Sequence, residues 1–292
     1  MDSHKHTDNF SKNELERDIF GSIKDKEIEN VECERWMGGP RGPEKITFRD
    51  GSIAMFKCDI RHYWMADNPD TPIRETIVYK IDTIVGLGLV PKTMVIDDTI
   101  NNIRYNGSIQ EWVKNAKDGY QIDKMTRKER EDYQRLLIFD FIIGNSDRHL
   151  GNILFTSDDK IHAIDNNACL VIGKDEDLLA FPDAIIDFFN KKTITDIPHV
   201  VELIETFYKN KKIILNLIGK YVHDNTKLAQ LMVESRINYL FNMLKKKQPF
   251  PRKYLEWRKG LSAEIQRILS QNQSSFPMYL TLTALSQLAV WG

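Results

Sequence analysis

The chain has 292 residues, 41% hydrophobic and 28% charged, with 41 Lys and Arg against 42 Asp and Glu and a formal net charge of −1. Only 15 glycines and 10 prolines exclude a collagen-like or low-complexity chain, and the ordinary apolar fraction excludes a disordered one. Near-neutral charge argues against bulk nucleic-acid binding, which needs a concentrated basic face. Cys33, Cys58 and Cys169 are widely spaced and form neither a disulfide framework nor a zinc motif, so a reducing environment is expected.

Residues 1–18 are polar and lack the apolar core of a signal peptide, so residues 1–29 read as a polar, partly helical extension in a cytoplasmic protein. Delivery into another cell stays open. Residues 31–58 read as strand, turn, strand, strand: VECERWM, GGPRGP, EKITF, an Asp50-Gly51 turn and SIAMFKC. Asp-Gly between alternating apolar residues is a strong hairpin signal. Thr71 and Pro72 then open a helix carrying the stripe Ile73, Ile77, Ile81, Ile84 and Val85, ending near Gly86. Short strands are expected near 92–96 and 102–105, so the N-terminal half is mostly sheet with one main helix.

Apolar density falls between Gln110 and Gly119, which places a boundary near residue 112. Thr126 and Glu129 form a capping-box signature before the apolar run Tyr133 to Ile143. Strand candidates follow at 153–155 and 161–164, and helices at 183–190, 199–208, 227–244 and 261–269. Residues 276–291 carry no charge but are too short and too rich in Thr, Ser and Gln to span a bilayer, so a buried terminal helix is expected. The basic runs Lys245 to Lys247 and Arg252-Lys253, with Phe250 between them, are candidates for peripheral contact with an anionic membrane or for a solvated helix end.

Chemistry concentrates in FDFIIGNSDRHLGNILF (139–155) and AIDNNACL (163–170). Asp147, Asn152 and Asp165 fall in a loop, at a loop-to-strand junction and at a strand end. Two carboxylates and an amide brought together by a small hairpin suit Mg²⁺, a hard cation that takes oxygen ligands and keeps waters and phosphate oxygens. An Asp five positions before an Asn, with a second Asp on a nearby strand, is also the spacing of a protein-kinase catalytic loop.

With DRHLGN at 147–152 and IDN at 164–166, the sequence resembles the atypical kinases of the phosphatidylinositol 3- and 4-kinase-like and HipA-like type, whose loop reads D-R-H-x-x-N. The resemblance implies an α+β, bilobal, protein-kinase-like fold over roughly residues 30–250, with a small β-rich N-lobe (30–112) and a larger helical C-lobe (113–292). It implies an ATP- and Mg²⁺-dependent phosphotransferase. Asp147 would orient or accept the proton of the attacking hydroxyl, and Asn152 and Asp165 would hold the metal. Arg148 and His149 would support the loop, with a base role for His149 as the alternative. Asn166 and Asn167 stand where typical protein kinases have Phe-Gly.

Phosphoryl transfer also calls for a Lys on a central strand with an acidic partner on the adjoining helix. Lys57 is the only basic residue in SIAMFKC and Glu75 the only Glu of the following helix, so the two are expected within salt-bridge distance. Gly38, Gly39 and Gly42 are candidates for a phosphate-covering loop, although GGPRGP departs from G-x-G-x-x-G and also reads as a plain turn. Gln110, Glu111 and Trp112 stand where a hinge would offer backbone groups to adenine. Three acceptor classes stay open: a Ser/Thr protein kinase, an inositol-lipid kinase, and a kinase-like AMP transferase or nucleotide-binding protein. The stretch 166–183 holds one Lys and four acidic residues, the opposite of a pocket for a phosphorylated inositol; it suits a basic or neutral peptide or an unphosphorylated inositol lipid, and the reading leans to a protein substrate. It contains no Ser, Thr or Tyr, and neither does 36–45, so no activating or silencing phosphorylation is expected within either segment.

Overall fold

The structure, a computed structural model, describes residues 27–33, 43–58, 71–100, 103–172, 178–179, 183–189, 192–223 and 225–272. Gly38, Gly39, Gly42, residues 34–37 and the uncharged stretch 276–291 lie outside these residues. An antiparallel sheet in the order β1-β2-β3-β5-β4 is formed by β1 (Ile28–Cys33), β2 (Glu44–Phe48), β3 (Ile53–Cys58), β4 (Thr93–Ile100) and β5 (Ile103–Glu111). The β2–β3 hairpin turns where Asp-Gly predicts it. Gly51 has φ +77°, and the Asp50 carboxylate accepts from the Ser52 amide at 2.9 Å.

Period-two alternation gives the sheet two faces. One buries Ile46, Phe48, Ala54, Phe56, Ile96, Tyr105 and Ile109 as a separate apolar cluster, with the Phe56 and Tyr105 rings edge to face at 5.0 Å. The other carries Lys57 opposite Ser108 and Met55 opposite Gln110. Helix α1 (Thr71–Val85) adjoins this second face. Its stripe residues Ile77, Ile81 and Val85 do not join the sheet's own cluster; they are continuous with the large core of the C-terminal half.

Asp82, near the end of α1, determines how the chain leaves the helix. Its buried carboxylate accepts from the amides of Gly88 at 2.7 Å, Leu89 at 2.9 Å and Val90 at 2.8 Å. The loop held in this way offers the Leu89 carbonyl to the Ala163 amide at 2.8 Å.

Beyond residue 112 a small sheet is made by β6 (Lys117–Asp118), β7 (Ile153–Thr156) and β8 (Lys160–Ala163), in that order. The rest is helical: α2 (Arg127–Ile143), α3 (Asp183–Phe189), α4 (Pro198–Tyr221), α5 (Thr226–Lys245) and α6 (Tyr254–Gln271). The α2 capping box forms in both directions, with Thr126 Oγ1 accepting from the Glu129 amide and Glu129 Oε2 accepting from the Thr126 amide. The helix ends at Gly144 in the left-handed region (φ +67°), where a Cβ would meet the Met232 thioether at 2.7 Å.

Several boundaries differ from the sequence expectation. Helix α4 runs to Tyr221, because Ile214, Leu217 and Ile218 continue its buried stripe past the polar run 209–212 that looked like an end. Helix α6 starts at Tyr254 and buries Trp257. Strand β5 extends to Glu111, because its alternation holds through Ile109. Phe250, placed between the two basic runs, is 1% exposed and stacked on Phe189 at 4.5 Å, whereas Leu255, just after Arg252-Lys253, is 62% exposed.

Two predictions follow from this packing. Asp82→Ala leaves three amides without their acceptor and is expected to cost about 3 kcal/mol or more of stability in chemical denaturation, with Asp82→Asn losing less. Burial pulls the His162 imidazole below its ordinary 6.5, with Asp158 opposing. The unfolded chain then binds the proton more tightly, so this contribution is full above pH 6.5 and is lost as pH falls. The thermal midpoint of His162→Gln should therefore drop less than that of the unmodified protein between about pH 7.5 and about pH 5.5.

Candidate active site

The β7–β8 hairpin brings the two halves of the motif together. Ile153 pairs with Ala163, and the Ile164 amide donates to the Asn152 carbonyl at 3.1 Å, so Asn152 and Asp165 leave the hairpin side by side. Asn152 is buried and its Nδ2 donates to the Asp147 carbonyl at 2.9 Å, which folds the loop back and leaves Oδ1 as its remaining strong acceptor. Asp147 is exposed. Its amide donates to Asn145 Oδ1 at 2.9 Å, and its carboxylate has no hydrogen bond or ion pair among the described residues.

Arg148 holds this loop from beneath. Its side chain is 7% exposed and all five N–H groups are used. Nε and Nη2 donate to the two oxygens of Asp140 at 2.9 and 3.2 Å. Nη1 donates to the carbonyls of Asn152 at 2.9 Å and Ile164 at 2.6 Å, and Nη2 also donates to Asn166 Oδ1 at 2.5 Å. Asn166 is 1% exposed and donates in turn to the Ala163 carbonyl at 3.1 Å, so a polar brace stands at the Phe position of typical protein kinases. His149 is exposed. Its Nδ1 accepts from the Gly151 amide at 3.1 Å and its ring stacks near Tyr120, with centroids 6.4 Å apart, so this nitrogen shapes the turn and Nε2 is the one left over.

Lys57 joins the upper sheet to this hairpin. Its Nζ donates to Glu75 Oε1 at 2.6 Å and to Asp165 Oδ1 at 3.0 Å. Asp165 can face Lys57 because its backbone is left-handed (φ +54°), a conformation that Asp tolerates better than bulkier residues. Burial acts to lower the Lys57 pKa, but the two carboxylates outweigh it and the ammonium is held more firmly than in water. Burial acts to raise the Asp165 pKa, and Lys57 outweighs it, so the carboxyl titrates below its usual range. Glu75 is 1% exposed, and its second oxygen accepts from the Ser108 hydroxyl at 2.5 Å. Next to it, the buried Arg74 donates to the carbonyl of Cys169 at 3.3 Å and to that of Leu170.

The other candidates occupy different places. Gln110 lies within β5, is 5% exposed, and its Nε2 donates to Thr93 Oγ1 at 2.8 Å, so its side chain is not free for a ligand. The Glu111 amide donates to the Lys92 carbonyl at 2.8 Å and the Trp112 amide to the Ile53 carbonyl at 3.2 Å. Both amides belong to the sheet, so a base docking here would meet carbonyls or later amides. The Trp112 ring lies under Lys45 Nζ at 5.4 Å. Ser108, Arg74 and Asp140 were not singled out from sequence. A signal for Asp140 was present, since a carboxylate inside RLLIFDFII must be paired when buried. Ser108 becomes visible only once strand register sets it opposite Lys57.

The donor set fits Mg²⁺. Asp165 offers a carboxylate held in its charged form, Asn152 offers an amide oxygen, and waters and phosphates complete such a shell. The described residues contain no cluster of three or more His, Cys, Asp or Glu that would hold a metal by protein ligands alone.

A family model, phosphatidylinositol 3- and 4-kinase, matches residues 22–242. Among solved structures, the crystal structure of a Helicobacter pylori proinflammatory kinase, CtkA, is similar with a TM-score of 0.51 and 16% identity, covering 76% of this chain and 97% of that one. The crystal structure of the Golgi casein kinase aligns with a TM-score of 0.44 and 14% identity over 80% of this chain and 76% of that one. At these identities the likeness to CtkA is one of fold, and the fold is that of a kinase. No curated protein matches the chain significantly.

Loss of the Arg148 brace has a separable signature. Arg148→Met leaves Asp140 buried and unpaired and is expected to cost about 3–5 kcal/mol, while Arg148→Met with Asp140→Leu recovers most of that. Nucleotide binding, measured on both variants, should stay weakened in the stable double variant, because the Asn152 and Ile164 carbonyls have lost their shared donor.

Proposed function

Because the chain belongs to the phosphatidylinositol 3- and 4-kinase family, we propose that it is an ATP- and Mg²⁺-dependent Ser/Thr protein kinase of this atypical type. The observation that carries the reading is the junction at Lys57, where one ammonium contacts both Glu75 and Asp165, residues that lie 18 and 108 positions away in the chain. Such a junction is what positioning a triphosphate requires, because phosphoryl transfer rests on alignment and charge neutralisation rather than on covalent chemistry.

These positions support the following roles. Lys57, steadied by Glu75, binds nucleotide phosphate oxygens. Asp147, exposed and unpaired, accepts the proton of the acceptor hydroxyl at its carboxylate and orients that oxygen toward the phosphorus. Asn152 Oδ1 and the Asp165 carboxylate would hold Mg²⁺, which when bound would neutralise charge on the phosphates. Arg148 and the His149 turn keep these groups at fixed spacing.

The acidic composition of 166–183 favours a protein acceptor with basic or neutral flanks. Family membership supports a second reading, an inositol-lipid kinase. Among the described residues no helix is long and apolar enough to cross a membrane, so a lipid acceptor would be met at a membrane surface.

One incubation separates these readings: the protein with ATP labelled on the γ or the α phosphate, Mg²⁺, and either a basic protein, phosphatidylinositol vesicles or water. γ-label on Ser or Thr of the protein is the expected result. γ-label in the lipid extract would replace the acceptor assignment, and α-label on protein would replace phosphoryl transfer with AMP transfer. In the same assay Asp147→Ala and Asp165→Ala should each lower transfer at least ~100-fold. Only Asp165→Ala should also weaken Mg²⁺-dependent nucleotide binding; retention of most of the rate by this variant would remove Asp165 from the metal site.

A further inference from the structure

Ser108 lies on β5 directly opposite Lys57 of β3, is 2% exposed, and donates its hydroxyl to Glu75 Oε2 at 2.5 Å. Glu75 Oε1 accepts from Lys57 at 2.6 Å, so each oxygen of this buried carboxylate has its own donor, one from each of two adjacent strands. The terminal torsion of a Glu side chain is soft, and a carboxylate held at one oxygen turns easily about it. Lys57 has a second suitor as well, because Asp165 lies 3.0 Å from the same ammonium. A Glu75 that turns away loosens one side of Lys57 and leaves Asp165 to draw the ammonium toward the proposed metal ligands.

We propose that Ser108 is a positioning residue for nucleotide binding: its hydroxyl locks the rotation of the Glu75 carboxylate and thereby fixes where Lys57 presents its charge. The proposal rests on the nucleotide-binding reading given above. Ser108 touches no phosphate in this arrangement and acts wholly through Glu75. Its small side chain is part of the device, because a bulkier apolar residue at a position buried between Lys57 and Glu75 would displace the carboxylate rather than anchor it.

The test measures binding of ATP with Mg²⁺ to the full chain, together with labelling of Lys57 by an acyl-phosphate derivative of ATP, mapped by mass spectrometry. Neither readout needs a phosphoryl acceptor. Ser108→Ala should weaken ATP binding about tenfold, the equivalent of ~1.4 kcal/mol, and lower the labelling of Lys57 in parallel. Ser108→Thr, which keeps the hydroxyl at the cost of one added methyl, should lose less binding than Ser108→Ala. In a Glu75→Gln background, Ser108→Ala should add less than about twofold, because the group it acts through has already been changed. Should Ser108→Ala not fold, Ser108→Cys fills the same space with a weaker donor and should show an intermediate loss.

Binding and labelling unchanged in a folded Ser108→Ala protein, or losses that multiply in the double variant, would overturn the positioning role. If the unmodified protein neither binds ATP nor is labelled at Lys57, the nucleotide reading itself fails and the role of Ser108 fails with it. A normal unmodified protein alongside a normal Ser108→Ala variant removes the present inference alone.

Discussion

A buried guanidinium with every donor satisfied sets the geometry of this protein's centre. Taking the charges of Arg148 and Asp140 out of water costs several kcal/mol per ion, and such a pair is worth keeping only where its hydrogen bonds do something an apolar pair cannot. Here they fix three chain segments to one planar group: the helix that supplies Asp140, the strand start at Asn152 and the strand exit at Ile164 and Asn166. A planar fork with five fixed donors can do this and an ammonium cannot. The exposed Asp147 stays where it is because its own amide is held by Asn145, its carbonyl by Asn152, and the next residue is the pinned Arg148.

Above this centre the same economy is repeated with smaller groups. Lys57 reaches the hairpin, Glu75 steadies Lys57, and Ser108 steadies Glu75, so the position of one charge is set by residues from β3, α1 and β5. The chain of contacts passes from the partly exposed Asp165 to a buried strand within a few side chains. Polar groups this deep are tolerated because each has a partner, and removing one exposes the next.

The sequence made the centre legible and its supports largely illegible. DRHLGN and IDN carry a fixed spacing, and a loop that folds on its own backbone keeps that spacing in three dimensions. The Asp50-Gly51 hairpin and the Thr126–Glu129 capping box were readable for the same reason: both are local, with partners two or three residues apart. Lys57 and Glu75 could be paired because each was alone of its kind on its element. Ser108 and Arg74 could not, because their importance depends on strand register and on a carbonyl more than ninety residues away. The place of Gln110 inside β5 was hidden by a short reading of that strand, and the burial of Phe250 by its basic neighbours, which mask an aromatic cluster formed with Phe189 and Trp257. The length of α4 was underestimated because the polar run 209–212 looks like an ending, although Lys211 within it packs against α5 through Asn238.

Helix α1 carries a consequence for motion. Its apolar stripe is continuous with the lower core, Arg74 grips the carbonyls after the metal-side turn, and the loop that follows it is bonded to Ala163. The helix is therefore continuous with the lower core, while it also packs against β4 and β5 and its Glu75 serves the upper sheet. Swinging the helix outward would open that continuous core. A displacement of the sheet against the helix would have to part Lys57 and Ser108 from Glu75, two bonds that end on one buried carboxylate.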